Sequence, residues 1–220
     1  MVTNQIARAA EIEARLYKLY PEVRVELDYA TPFELLVATL LAAKSNDKKI
    51  NSITPTLFRK YRSPQDYLDV ASSELETDIH GSGFFRQKTK AIRGLCEKLI
   101  ADFNGEVPST MKEMLSLPGV GRKTATVILG EAMGIAEGIT VDLHHLRVEP
   151  RLGFSTHTLA DKMEKDLMAI VPKENWIKWG QLITWHGRRT CRPKEPRCRE
   201  CVLNDICPSA NLPELSVSPG

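Results

Sequence analysis

The 220-residue sequence predicts an all-α fold, and three observations carry that reading. Apolar residues recur at helical spacing along most of the chain, alternating strand-like runs are almost absent, and capping boxes stand ahead of apolar stretches. A chain of this length can bury one large core or two small ones. Two helical blocks are expected, residues 26–135 and residues 136–220, with a helix in residues 1–25 joining the second block and a cleft between the two.

Taken in order, Ile6, Ala9, Ile12, Leu16 and Leu19 mark a first helix that stops at Pro21. Thr31-Pro32-Phe33-Glu34 reads as a capping box with proline at the first helical position, opening an apolar helix to about Ala43. The next helix follows Asn46-Asp47 and bends or breaks near Pro55. Ser63-Pro64-Gln65-Asp66 and Ser72-Ser73-Glu74 start two short helices, Gly81-Ser82-Gly83 turns the chain, and a long helix runs from about Arg86 to Phe103. Cys96 falls inside it, the place of a buried, inert thiol. Thr110-Met111-Lys112-Glu113 is another capping box, and after Gly134 and Gly138 the pair Val141-Asp142 leads into a further helix. Leu159, Met163, Leu167 and Ile170 form one stripe, and Trp176, Trp179 and Ile183 the next; the tryptophans read as core. Pro213 to Gly220 is expected to be disordered.

Between the Thr110 cap and Gly134 lies LSLPGVGRKTATVI, Leu115 to Ile128. Leu115 and Leu117 can end a helix, Pro118 does not continue it, and Gly119 and Gly121 allow positive φ, so Leu-Pro-Gly-Val-Gly reads as a tight hairpin ahead of a helix opened by Arg122. Bare glycine backbone at Gly119, Val120 and Gly121, together with the N–H groups of a helix start, can hold a phosphate. The pattern has the look of a helix-hairpin-helix DNA-binding element. Lys123 falls on the first turn of the second helix, where an amine can reach a sugar carbon; read alone, such a lysine is a solvated surface charge. Thr124 to Met133 is small and apolar enough to be buried.

Composition is that of an ordinary globular protein, 42% hydrophobic and 26% charged with a net charge of +2. Positive charge is concentrated late in the chain, where Arg188, Arg189, Arg192, Lys194, Arg197 and Arg199 stand against the single acid Glu195. That run fits a phosphate backbone or a solvated face. The N-terminal stretch, with Glu11 and Glu13, resembles neither a secretory nor a transit sequence, and no run approaches the ~18 apolar residues of a membrane span. A cytoplasmic protein with no membrane partner is expected. Five cysteines in a reducing compartment are poor disulfide candidates, and Cys191, Cys198, Cys201 and Cys207 are spaced C-x6-C-x2-C-x5-C. Only one short knuckle is present, which favours a four-iron cluster over structural zinc and leaves both open.

LPGVGRKTA, then VDLHHLRV, then the four cysteines resemble the endonuclease III family of DNA glycosylases, in the helix-hairpin-helix and Gly-Pro-Asp superfamily. The resemblance runs from about Ile6 to Pro208 and takes in PFELLVATLLAAKSND. It implies a 4Fe-4S cluster on the cysteines, a catalytic lysine at Lys123 and a catalytic aspartate at Asp142. The implied activity is that of a bifunctional glycosylase and abasic-site lyase on double-stranded DNA with oxidised pyrimidines or abasic sites. The implied state is a monomer at the nucleoid. Lysine attacks only when neutral, so its site must favour that form through partial burial, the helix start or Arg122. Asp142 also reads as the N-cap of a helix beginning at Leu143. His144 matches a family histidine, with a phosphate contact and a packed bystander as its two readings, and Arg188, Arg189 and Arg192 are expected on DNA.

Lys44 stands where many members carry Gln, Leu143 where Thr is usual, His145 where a branched aliphatic is common, and Phe84-Phe85-Arg86 where Leu-Tyr-Asn or similar is found. The resemblance puts Lys44 and Phe84 in the two loops that fill the gap left by an extruded base. Two competing readings remain, a non-catalytic DNA-structure binding module and a single-function mismatch glycosylase. Lys123 and Asp142 argue against the first, and Lys123 against the second.

Overall fold

A computed structural model describes residues 2–210, apart from the side chains of residues 2 and 3, so the expected disorder at Pro213–Gly220 falls outside the described residues. Among the described residues the chain forms no strand. Its α-helices are α1 (Val2–Leu19), α2 (Pro32–Ala42), α3 (Asp47–Asn51), α4 (Thr54–Lys60), α5 (Pro64–Asp69), α6 (Ser72–Asp78), α7 (Phe85–Phe103), α8 (Met111–Met114), α9 (Arg122–Val127), α10 (His145–Leu152), α11 (Ala160–Met168) and α12 (Trp176–Arg189). None of the described helices is long and apolar enough to cross a membrane. The chain divides into two compact units, Val25–Glu137, and Met1–Arg24 with Gly138–Gly220.

In the unit Val25–Glu137, α2 is apolar almost all round and buries Leu35, Leu36, Val37, Ala38, Leu40 and Leu41. Thr31 caps it by accepting from Glu34 N at 3.2 Å, while the Glu34 carboxylate returns to Ala30 N. Ser63 and Asp66 form a reciprocal capping box at the start of α5, where a short helix is expected to begin. Ala71, without a side-chain bond, takes the cap position of α6, one residue ahead of the expected Ser72. α7 packs on α5 and α2 through Ile92, Leu95, Cys96 and Leu99. Burial pushes the Cys96 thiol up to about 12, so it is inert.

In the other unit, α1 packs on α12 and α10 packs on α12. The core gathers Ile12, Leu16, Val148, Leu152, Met163, Leu167, Trp179, Leu182 and Ile183. Two expected stripes are shorter than the periodicity predicts. On α1 the buried row is Ala9, Ile12, Leu16 and then Tyr20, four residues on, which turns Leu19 outward at 43% exposure and leaves Ile6 exposed one turn before the contact. Leu159 precedes α11 in extended backbone and is likewise exposed, whereas Met163, Leu167 and Ile170 are buried. Trp179 is wholly buried, as expected of core, and its ring meets Phe154 edge-on.

Candidate nucleic-acid interface and active site

The hairpin begins earlier than expected, because α8 ends at Met114; Leu115 is exposed, while Leu117 and Val120 anchor the turn in the core. Gly119 takes φ +78°, and a Cβ there would stand 3.2 Å from Leu40 Cδ2. Gly121 does not share that conformation. Its backbone is extended, φ −92° and ψ 174°, so its use is different: no atom stands within 4 Å of a Cβ built there, and the backbone ahead of α9 lies bare. The Val120 side chain faces the core and its N–H donates to Leu117 O, whereas Gly119, Gly121 and Arg122 are exposed. Lys123 is exposed on the first turn of α9 beside Arg122, so of the three expected means of favouring its neutral form the helix start and Arg122 are the ones at hand. The helix continues as a π turn at Ile128–Ala132, with Ala125, Ile128 and Leu129 buried.

Lys44 and Phe84 both adopt left-handed backbone, at φ 55° and 49°, and the Lys44 ammonium lies 5.2 Å from the Phe84 ring centre. Phe84 is 56% exposed. Beneath them sequence reasoning missed Lys88. This buried amine donates to Leu41 O at 2.6 Å, ahead of the Lys44 loop, and to Ser82 O at 2.8 Å, ahead of Phe84. Burial, and then the charge of Lys49, lowers its pKa.

In the other unit, the expected N-cap role of Asp142 holds in substance, although α10 begins at His145 and not at Leu143. Asp142 Oδ1 accepts from His144 N at 2.8 Å, from His145 N at 3.1 Å and from the His145 ring at 3.0 Å. Thr184 of α12 reaches Oδ2 at 3.4 Å. Burial would raise this carboxyl, but the His145 bond and the neighbouring histidines outweigh it and hold the pKa well below the usual carboxylate range. His144 is half-buried, its pKa lowered mainly by burial, and its Nδ1 accepts from Arg147 Nη2 at 3.1 Å. Leu143, beside them, is 78% exposed.

Arg147 and Arg151, one turn apart on α10, tie this helix to the cysteine loop. Arg147 donates to Cys191 O and Gly187 O, and Arg151 to Cys191 Sγ at 3.3 Å and Arg192 O at 2.9 Å. Their i, i+4 spacing was the signal available in the sequence. Gly187 was not legible; a Cβ there would fall 2.8 Å from His144 Cβ, so α12 passes against α10 only because this residue lacks one.

Cys191, Cys198, Cys201 and Cys207 line a small hollow of about 30 Å³, with Leu152, Leu203 and His186 also in its wall. Among the described residues no three His, Cys, Asp or Glu side chains converge closely enough to hold a single ion. Donors already face the sulfurs, since Leu203 N lies 3.4 Å from Cys201 Sγ and Arg151 is on Cys191. Arg188 and Arg189 are exposed at the end of α12, with Arg189 stacked 3.8 Å from the Trp185 ring centre. Arg192 is half-buried and reaches back to Glu195 O, while Lys194 and Arg197 are exposed.

The chain matches the family model of the HhH-GPD superfamily base excision DNA repair proteins over residues 37–173. It is 46% identical to endonuclease III of Synechocystis sp. over 203 residues, 92% of this chain and 93% of that one. It is 36% identical to endonuclease III of Escherichia coli, covering 91% of this chain and 95% of that protein. Its fold matches the structure of a trapped endonuclease III–DNA covalent intermediate with a TM-score of 0.87 at 40% identity, over 93% of this chain and 96% of the other. A thermostable thymine-DNA glycosylase shares the fold at 22% identity, with a TM-score of 0.82. The chain belongs to the HhH-GPD superfamily of base excision DNA repair proteins and, within it, to the endonuclease III family of DNA glycosylases and abasic-site lyases.

Proposed function

We propose that this chain removes oxidised pyrimidines from double-stranded DNA and nicks the resulting abasic site, with Lys123 as nucleophile and Asp142 as its proton acceptor. The observation that carries the reading is Lys123, exposed one turn into a helix whose preceding glycine leaves the backbone bare. The damaged base first leaves the stack at a cost of a few kcal/mol. Neutral Lys123 Nζ then attacks C1′ as the base departs with the electron pair of the glycosidic bond; Asp142 takes the proton shed by Nζ or stabilises the cationic sugar. The C1′–O4′ bond then breaks, O4′ keeping the electron pair and taking a proton as the hydroxyl, and the Schiff base so formed acidifies C2′–H; loss of that proton to solvent forms the C2′–C3′ double bond and breaks the C3′–O bond, and the 3′ phosphate leaves with its electron pair.

Gly119, Gly121, Arg122, His144, Arg188, Arg189 and Arg192 hold the phosphates in this reading, with binding that weakens steeply as salt rises. Lys44 and Phe84 enter the gap left by the base. Cys191, Cys198, Cys201 and Cys207 would hold a 4Fe-4S cluster. Four cysteine thiols in the wall of one hollow fit the Cys-only ligation of such a cluster. When bound, the group supplies a rigid cross-link without an open position for substrate, and it secures the loop bearing Arg192, Lys194 and Arg197. The protein acts as a monomer on nucleoid DNA.

Borohydride trapping on a duplex with an abasic site is the test. The wild-type chain is expected to form a covalent adduct, and Lys123→Gln to form none while binding the duplex. An adduct from Lys123→Gln overturns the assignment.

A further inference from the structure

Two buried polar atoms on α10 have no partner. His145 is fully buried; its Nδ1 lies 3.0 Å from Asp142 Oδ1, the ionised acceptor to which it donates, and 3.5 Å from Asp142 N, and its Nε2 has no hydrogen-bond partner. Glu149, one turn on and also fully buried, accepts from Trp179 Nε1 through Oε1 at 2.9 Å, and its Oε2 meets nothing. A buried imidazole nitrogen and a buried carboxylate oxygen are each costly to leave unpaired, and residues four apart on a helix lie on the same face.

We infer that Asp142, His145 and Glu149 form one buried polar chain in which His145 is a positioning residue for the Asp142 carboxylate. The inference rests on the reading of Asp142 as the group that serves base release. Donation by Nδ1, with the His144 and His145 N–H groups, saturates Oδ1 and fixes the plane of the carboxylate. Oδ2, which has only Thr184 at 3.4 Å, is the oxygen left for the reaction. Direction agrees with this arrangement, since burial pushes Glu149 up to about 7 against the pull of His145 and Trp179. The other charged or titratable groups acting on the chain are His144 and Arg147 on α10 and Arg188 on α12, while His186 of α12 turns toward Cys201.

The test is single-turnover base release at neutral pH, on a duplex carrying an oxidised pyrimidine, with duplex affinity measured in parallel. His145→Leu removes the donor that fixes the Asp142 carboxylate, and release is expected to slow about tenfold with affinity unchanged. His145→Asn, which keeps a short donor, is expected to recover most of that loss. Equal losses in both variants would mean a merely structural histidine and overturn the inference. Glu149→Gln keeps an acceptor for Trp179 and gives a second readout, the ring ¹⁵N signals of His145. Wild type should show a protonated Nδ1, and Glu149→Gln a displaced Nε2 signal; identical spectra, or a bare Nδ1 in wild type, also overturn it. Asp142→Asn separates the two levels. If it is inactive while His145→Leu keeps the wild-type rate, only the chain is wrong; if it releases base at the wild-type rate, the role of Asp142 falls and the inference with it.

Discussion

Replacing Gly187 by alanine tests whether the approach of α12 to α10 sets the position of Asp142. The new Cβ would stand 2.8 Å from His144 Cβ, 3.1 Å from His144 Nδ1 and 3.2 Å from Arg147 Nη2. Carbon atoms settle about 3.5–4.0 Å apart, so the start of α10 must retreat by roughly 0.7–1.2 Å on that scale. His144 Cβ moves only with its backbone, and no change of rotamer relieves the contact. Overpacking costs about 1–3 kcal/mol, and alanine regains up to about 1 kcal/mol of helix propensity. The net loss is about 1 kcal/mol, or a melting temperature lower by roughly 2–4 °C in a chain of this size.

The larger effect should fall on activity. Asp142 is held by the N–H groups of His144 and His145, so it travels with the displaced turn. Misplacement by about 1 Å can cost ~100-fold, and base release is expected to fall by about tenfold or more. Gly94→Ala, on α7, is the control: its Cβ would meet only Pro118 Cβ at 4.0 Å, so propensity acts alone and stabilises by about 0.5–1 kcal/mol. Thermal melts at fixed salt and single-turnover release check both variants. A Gly187→Ala protein that melts with the Gly94→Ala variant and releases base at the wild-type rate would refute the reasoning.

Lys88→Met leaves Leu41 O and Ser82 O without their donor, at about 1–3 kcal/mol for each carbonyl that stays unpaired. With the loops of Lys44 and Phe84 freed, cleavage of base lesions should fall more than cleavage of preformed abasic sites. Phe84→Ala should reproduce that pattern without the loss of stability, and equal losses on both substrates would show that these loops do not act on the extruded base. The purified protein should be brown with about four irons, and Cys198→Ala should lose the colour and weaken duplex binding; stoichiometric zinc by metal analysis would contradict the assignment.

Local chemistry made much of the fold legible. Thr31 with Glu34, and Ser63 with Asp66, cap helices through bonds that span three or four residues, so their spacing in the chain is their geometry. Phase was harder. Leu16 could be followed in the buried row by residue 19 or residue 20, and the step of four to Tyr20 is set by what α12 offers, which no window on α1 contains. Gly119 was legible as a positive-φ position because Leu-Pro-Gly demands a turn, whereas Gly121 was misread because bare backbone and left-handed backbone both ask for glycine.

The residues that stayed hidden share a cause: each is defined by a distant partner. Lys88 reads as an ordinary helix cation until Leu41 O, 47 residues away, accepts its hydrogen. Gly187 reads as a weak point of α12 until His144 comes against it. Glu149 is a different case, because a signal was present. It shares the face of α10 that buries His145, Val148 and Leu152, and an acid on such a face breaks the pattern by which helices sort apolar from polar residues. Folding alone does not favour that exception, since a buried carboxyl needs partners to be tolerated and the helix has apolar alternatives at that position. The exception lies one turn beyond His145, and His145 lies on Asp142. A break in helical periodicity next to a carboxylate that chemistry requires is therefore a sequence-level pointer to the supporting shell of that carboxylate, readable before any coordinate is known.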